Sequence, residues 1–203
     1  MHSFVDQMTD FEEALDAMDA FLCAHPYEFL IVSIKEDADP IHPAVTFADA
    51  VEQMLNEYAD PVSTADTLPQ TVGDARGKTH ILARYADAGI GVPAYHGWQD
   101  NTSFVLDNLF VQDLYAIADT AEKLTEAENA FAAAAEGSYA LVLNFTSCYL
   151  THGFPPMYAA SPAKPIHAWL GERLDDDSIP GGVIICDFMT SALAHAIWGC
   201  NFR

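Results

Sequence analysis

Lys35, Arg84, Asp113, Tyr115 and Asp187 each close, or directly follow, a short apolar run of the sequence. The runs are 29–34 (FLIVSI), 79–85 (THILARY), 108–112 (NLFVQ), 140–145 (ALVLNF) and 182–188 (GVIICDF). The two cations Lys35 and Arg84, closing adjacent runs, suit a polar ligand, anionic or rich in hydroxyls. Charge makes the cations informative: the chain has 8 Lys and Arg against 30 Asp and Glu. Two of those eight stand at the ends of adjacent runs. Each residue also has a plainer role. Lys35 can pair with Glu36 or Asp37, and Arg84 with Asp113. Tyr115 can pack at a helix start, and Asp187 can cap one.

The elements that must position these residues follow from the pattern. The runs are near-continuously apolar rather than alternating, which suits parallel strands covered on both faces. Amphipathic stretches lie between them. Residues 10–24 set Phe11, Leu15, Met18 and Leu22 at helical spacing behind Asp10, and 46–58 set Val51, Met54, Leu55 and Tyr58 on one face. Residues 116–136 are rich in Ala and Glu and stop at Gly137; 162–174 and 190 to about 199 complete the set. The segments 60–77, 89–98 and 153–165, which carry Pro and Gly, read as loops. Helix and strand in alternation predict an α/β fold with a parallel sheet, in one unit of 1–203. In such sheets ligands bind beyond the carboxyl ends of the strands, where the five residues fall.

A net charge of −22 opposes binding to nucleic-acid phosphates, so no nucleic acid is expected as a partner. The runs are far shorter than the roughly 20 residues that cross a bilayer, and the first ten residues carry no signal-peptide pattern. No compartment is assigned. Cys23, Cys148, Cys186 and Cys200 show no metal-binding or disulfide spacing and read as small core residues. The sequons at Asn101 and Asn144 carry little weight, because Asn144 falls within an apolar run.

Several segments resemble the X-domain family of phosphatidylinositol-specific phospholipases C, in its bacterial-type branch. They are FLCAHPYEFLIVSIKED, GDARGKTHILARY, WQDNTSF, VQDLY, LNFTS followed by PPMYAASP, and GGVIICDF, in the family's order. The resemblance implies a TIM-barrel-like fold of which this chain matches the later part, about five of eight strands. It implies a phosphodiesterase that splits inositol phospholipid into diacylglycerol and a cyclic inositol phosphate. In that chemistry one histidine is the base toward the inositol hydroxyl and another the acid toward the leaving oxygen. An imidazole with pKa about 6.5 suits both roles. His2 aligns with the acid, although His2–Ser3 stands where the family has His–Gly. Lys35, Arg84 and Asp113 match residues that hydrogen-bond the inositol hydroxyls, Tyr115 the ring that packs on the sugar, and Asp187 the carboxylate that orients the base.

Lys35 also stands where calcium-dependent members carry a carboxylate, so a metal-independent type without cofactor is implied. The family's base histidine, its neighbouring aspartate and its phosphate-binding arginine belong to earlier strands, and no motif here replaces them. The expectation is therefore a fragment of a longer enzyme, inactive as it stands. A non-catalytic inositol or sugar-phosphate binder is the alternative. The partners implied are an inositol phospholipid headgroup and, transiently, a membrane surface. The strands at 29–34 and 182–187 are expected to expose open edges and favour self-association.

Overall fold

A computed structural model describes residues 10–37, 44–151, 160–175 and 181–202; His2, His42 and His152 lie outside them. The chain divides into two compact units, Met1–Trp98 and Gln99–Arg203.

In the first unit Asp10 starts α1 (Phe11–Ala24) through a capping box: its carboxylate accepts from the Glu13 amide at 2.9 Å, and Glu13 accepts from the Asp10 amide at 3.3 Å. β1 (Leu30–Lys35) follows, then α2 (Phe47–Glu57), capped by Thr46. After them come β2 (Val62–Ser63), a single helical turn α3 (Val72–Ala75), β3 (Thr79–Arg84) and β4 (Val92–Pro93). All pairings are parallel. β3 holds β1 on one side, in register from Leu30↔Thr79 to Lys35↔Arg84, and the short β2 and β4 on the other. Central placement explains why 79–83 is buried throughout. Ile81 and Ala83 pack with Leu15, Ile34, Val51, Leu55 and Tyr85 into one core. Each large aliphatic chain so buried contributes about 1.5–3 kcal/mol.

The second unit opens on a hairpin. β5 (Ser103–Leu106) turns through Asp107 and Asn108 into β6 (Leu109–Gln112), with Asp107 at φ +50°, a region Asp tolerates better than most residues. β7 (Ala116–Ile117) leads to α4 (Thr120–Glu136), capped by Asp119 and closed by Gly137 at φ +65°. Then follow β8 (Leu141–Phe145), β9 (Tyr149–Leu150), α5 (Ala160–Leu174), β10 (Val183–Ile185) and α6 (Ser191–Gly199). The main sheet runs β10-β8-β6-β5, parallel except for β5, while β7 and β9 form a separate parallel pair. Phe131, Leu170, Leu174 and Leu193 knit α4, α5 and α6 together.

The α/β class holds, and all five apolar runs form strands. Three expectations are corrected. The set is not purely parallel, because 103–106 adds an antiparallel strand from a segment too short and mixed to stand out. Residues 116–117 form a strand rather than the start of a helix: Asp119 caps α4, and its carboxylate accepts from the Glu122 amide at 3.0 Å. The segments read as loops hold short elements, β2 and α3 in one and β4 in another. Among the described strands β1 has one neighbour in its sheet and β10 one in its own, so neither sheet is closed.

Candidate functional site

In the first unit, parallel pairing sets Lys35 beside Arg84 as the last register pair of β1 and β3. Neighbours in register share a face of the sheet, so the two cations emerge together at its carboxyl edge. Lys35 is half exposed and its ammonium meets Asp37 at 2.7 Å, one of the plainer pairings anticipated from sequence. An exposed pair of this kind is worth little, at most about 1 kcal/mol, and a ligand can displace it. Arg84 lies over Trp98, its guanidinium carbon 4.0 Å from the ring centroid. Stacking of this sort orients a guanidinium while leaving its edges to donate. Trp98 serves here as a loop anchor beneath Arg84.

In the second unit, residues 112–117 carry Asp113 and Tyr115. Asp113 is buried, 9% exposed, beyond the end of β6. The Tyr115 hydroxyl donates to Asp100 at 2.8 Å, and its ring lies 6.0 Å from that of Tyr149. The Asp100 hydrogen bond, with burial and the nearby carboxylates, pushes the Tyr115 phenol up to about 12. Tyr115 does not start a helix. Backbone groups of this segment are tied in sequence: the Asp113 amide donates to Thr102 O at 3.1 Å, and the Tyr149 amide donates to Tyr115 O at 2.7 Å. Asn101, at φ +50°, accepts from the Tyr115 and Ala116 amides at 2.9 and 2.7 Å and donates to Ala116 O at 3.2 Å.

Asp187 follows β10, half-buried. It does not cap α6: Thr190 does, accepting from the Leu193 amide at 3.2 Å. Its carbonyl accepts from His167 Nε2 at 2.9 Å. Beside it, burial raises the Cys186 thiol above its ordinary range, and Thr146 donates to that sulfur at 3.0 Å.

A buried lysine joins these groups, and nothing in the sequence reading had singled it out. Lys123 on α4 is 0% exposed; its ammonium donates to Gln112 Oε1 at 2.9 Å and to Leu114 O. Burial lowers its pKa to about 8, while Cys148, Asp113, Glu126 and Asp187 pull the other way. Burial in turn pushes the Cys148 thiol up to about 11, despite the ammonium. The signal for Lys123 was its phase: it shares a helical face with Ala127 and Ala130, both fully buried. Gln112 and Asn144, polar residues inside apolar runs, were the matching signal on the strands.

The structure thus brings Lys35 and Arg84 together in one unit, and Asp113, Tyr115 and Asp187 near Lys123 in the other. His2 lies outside the described residues. Among those residues, no three His, Cys, Asp or Glu side chains are grouped to hold a metal ion. No described helix is long and apolar enough to cross a membrane.

The fold resembles solved bacterial phosphatidylinositol-specific phospholipases C. A variant of the enzyme from Staphylococcus aureus superposes with TM-score 0.84 at 21% identity, over 98% of this chain and 72% of that one. A second S. aureus structure, from work on modulation of membrane binding, gives TM-score 0.81 at 21% identity over 100% and 74%. The Listeria monocytogenes enzyme gives 0.73 at 20% identity over 97% and 72%. No family model and no curated protein matches the chain. The expected resemblance therefore stands at the level of fold: α/β with parallel strands, TIM-barrel-like, its sheet unclosed.

Proposed function

We propose that the chain is of the phosphatidylinositol-specific phospholipase C type, acting on the headgroup of an inositol phospholipid. The likeness of fold to such enzymes, over 97–98% of this chain and 72% of theirs, carries this reading. In the reaction of that type the inositol 2-hydroxyl loses its proton to a histidine base, for which this sequence offers no matching motif, and attacks phosphorus. The bond to the glycerol oxygen breaks, and that oxygen takes a proton from an acid, giving diacylglycerol and a cyclic inositol phosphate. Lys35 and Arg84 donate to ring hydroxyls, Asp113 accepts from them and Tyr115 covers the apolar sugar face. His2 is the proposed acid and Asp187 the carboxylate that orients the base. The paired cations at the ends of β1 and β3 and the tied-down Asp113–Tyr115 segment support these roles. No step calls for a cofactor.

The membrane contact in this reading is transient. Exposed Phe188, Met189, Trp198 and Phe202 supply apolar side chains for it. A charge of −22 directs it to surfaces that are mostly uncharged.

A second reading, a non-catalytic inositol or sugar-phosphate binder, is favoured by one observation: no motif of the sequence matches the histidine that serves as base in such enzymes.

The experiment is turnover of dilute phosphatidylinositol in phosphatidylcholine vesicles, by this chain and by a form extended upstream, together with titration of myo-inositol. Cyclic inositol phosphate from either form supports the enzyme. Inositol binding without turnover in both, abolished by Arg84→Ala, selects the binder. Neither binding nor turnover ends both readings.

A further inference from the structure

The charge of Lys123 is costly where it sits, since an ammonium loses several kcal/mol of hydration on burial. A methionine on the same face of α4 would fill the space without that penalty. What the lysine does with its hydrogens is therefore informative. One goes to Gln112 Oε1 at 2.9 Å, an oxygen that also accepts from the Leu114 backbone amide at 2.9 Å. Gln112 Nε2 donates to Asn144 Oδ1 at 3.0 Å and to Phe145 O at 2.8 Å. The Asn144 amide donates onward to Ala127 O at 3.1 Å, one turn along α4. Two donors meet the oxygen and two acceptors the nitrogen of Gln112, so only one orientation of that amide fits.

The chain of bonds ends on the backbone that carries the candidate ligand groups. Leu114, between Asp113 and Tyr115, has its amide held by Gln112 and its carbonyl by Lys123. Asn101 holds the next two amides, those of Tyr115 and Ala116. Leu114 is thus gripped from α4 and its neighbours from the 101 loop. Side chains that read a ligand's hydroxyls need placement within about half an ångström, and fixed backbone supplies it.

We propose that Lys123 is a positioning residue: from α4, through Leu114 O and Gln112, it fixes the segment that presents Asp113 and Tyr115 to a hydroxyl-rich ligand. The ligand half of this statement rests on the headgroup reading above; the clamp itself does not. Lys123 touches no ligand, and its role is carried by donated hydrogens rather than by filled volume.

Amide hydrogen exchange on the whole chain, with myo-inositol titration beside it, tests the proposal. In the wild-type protein the Leu114, Tyr115 and Ala116 amides are expected to be as protected as those of β6. Exchange at open-loop rates there would overturn the clamp with no variant needed. Lys123→Met should speed exchange of these three amides about tenfold or more while leaving α1 and β3 unchanged, and should weaken inositol binding by a similar factor. Lys123→Arg, which keeps charge and donors, should restore most of both. Exchange and affinity within about twofold of wild type in Lys123→Met overturn the proposal, as does an arginine variant that folds and is as impaired as the methionine one. A wild-type chain that binds no inositol ends the headgroup reading alone, and the exchange comparison still decides the clamp.

Discussion

Raising the pH above neutrality should stabilise the second unit before it destabilises it, and Lys123 sets the rise. The lysine falls from an ordinary 10.5 to about 8 in the folded chain because it is buried. Between those two values the unfolded chain binds more protons than the folded one, so stability increases with pH. One proton is worth about 1.4 kcal/mol per pH unit, which over this interval comes to about 3 kcal/mol at most. The groups facing the ammonium are Asp113, Glu126, Cys148 and Asp187, and all of them favour its charge. Cys148 opposes the gain: its thiol rises from 9.0 to about 11, so from pH 9 upward the folded chain holds that extra proton and the Cys148 contribution offsets the rise from Lys123. The two contributions nearly cancel between pH 9 and 10.5, so the net expectation is a rise from pH 8 to about 9, a near-plateau to about 10.5, and a decline beyond it. Urea unfolding at half-unit pH steps, followed by the amide peaks of β6 and β8, measures it. Lys123→Met supplies the reference, since methionine does not titrate. The wild type should gain about 1 kcal/mol relative to that variant between pH 8 and 9. Two parallel curves would falsify the account of Lys123 as a charged group held without water.

Other outcomes follow from single contacts. In Gly182→Ala the new Cβ would lie 2.5 Å from Val142 O at a residue with φ +65°, so β10 should lose about 2–3 kcal/mol of protection from hydrogen exchange. The wild-type minus Tyr115→Phe ultraviolet difference should show no phenolate below pH about 11, because the Asp100 hydrogen bond holds the Tyr115 proton. Asp119→Ala removes the cap of α4 and should cost about 1 kcal/mol in thermal or urea unfolding. Arg84→Ala should cost about 0.5–1 kcal/mol and shift the Trp98 indole N–H resonance, as expected of a stacked guanidinium.

Elements with strong local signals were legible in the sequence. Asp10 and Thr46 begin their helices and Gly137 ends α4, because a cap satisfies backbone groups that no distant residue can reach. The runs that became β1, β3, β6, β8 and β10 were legible through their near-continuous apolar character, although only β3 is buried along nearly its whole length. Two-residue strands such as β2, β4, β7 and β9 were not, since so short a segment takes its conformation from a neighbour rather than from its own side chains. The same division holds for the candidate site. Lys35 and Arg84 close runs of equal phase, and pairing made them neighbours. Lys123 was hidden because its surroundings come from three elements: Gln112 on β6, Asn144 on β8 and the Leu114 carbonyl. Asn101 was hidden for another reason: its side chain serves a loop fourteen residues away.

That service by Asn101 bears on how the protein can be made. Asn101–Thr102–Ser103 is an acceptor sequence for N-linked sugar, yet the amide that would carry the glycan is turned inward and donates to Ala116 O. Attachment of an oligosaccharide there would compete with the closing of this loop, so in a eukaryotic secretory host the order of modification and folding decides which product accumulates. Material from a bacterial host without N-linked glycosylation would supply the sugar-free reference, since Asn144 itself is fully buried and bonded to Gln112 and Ala127.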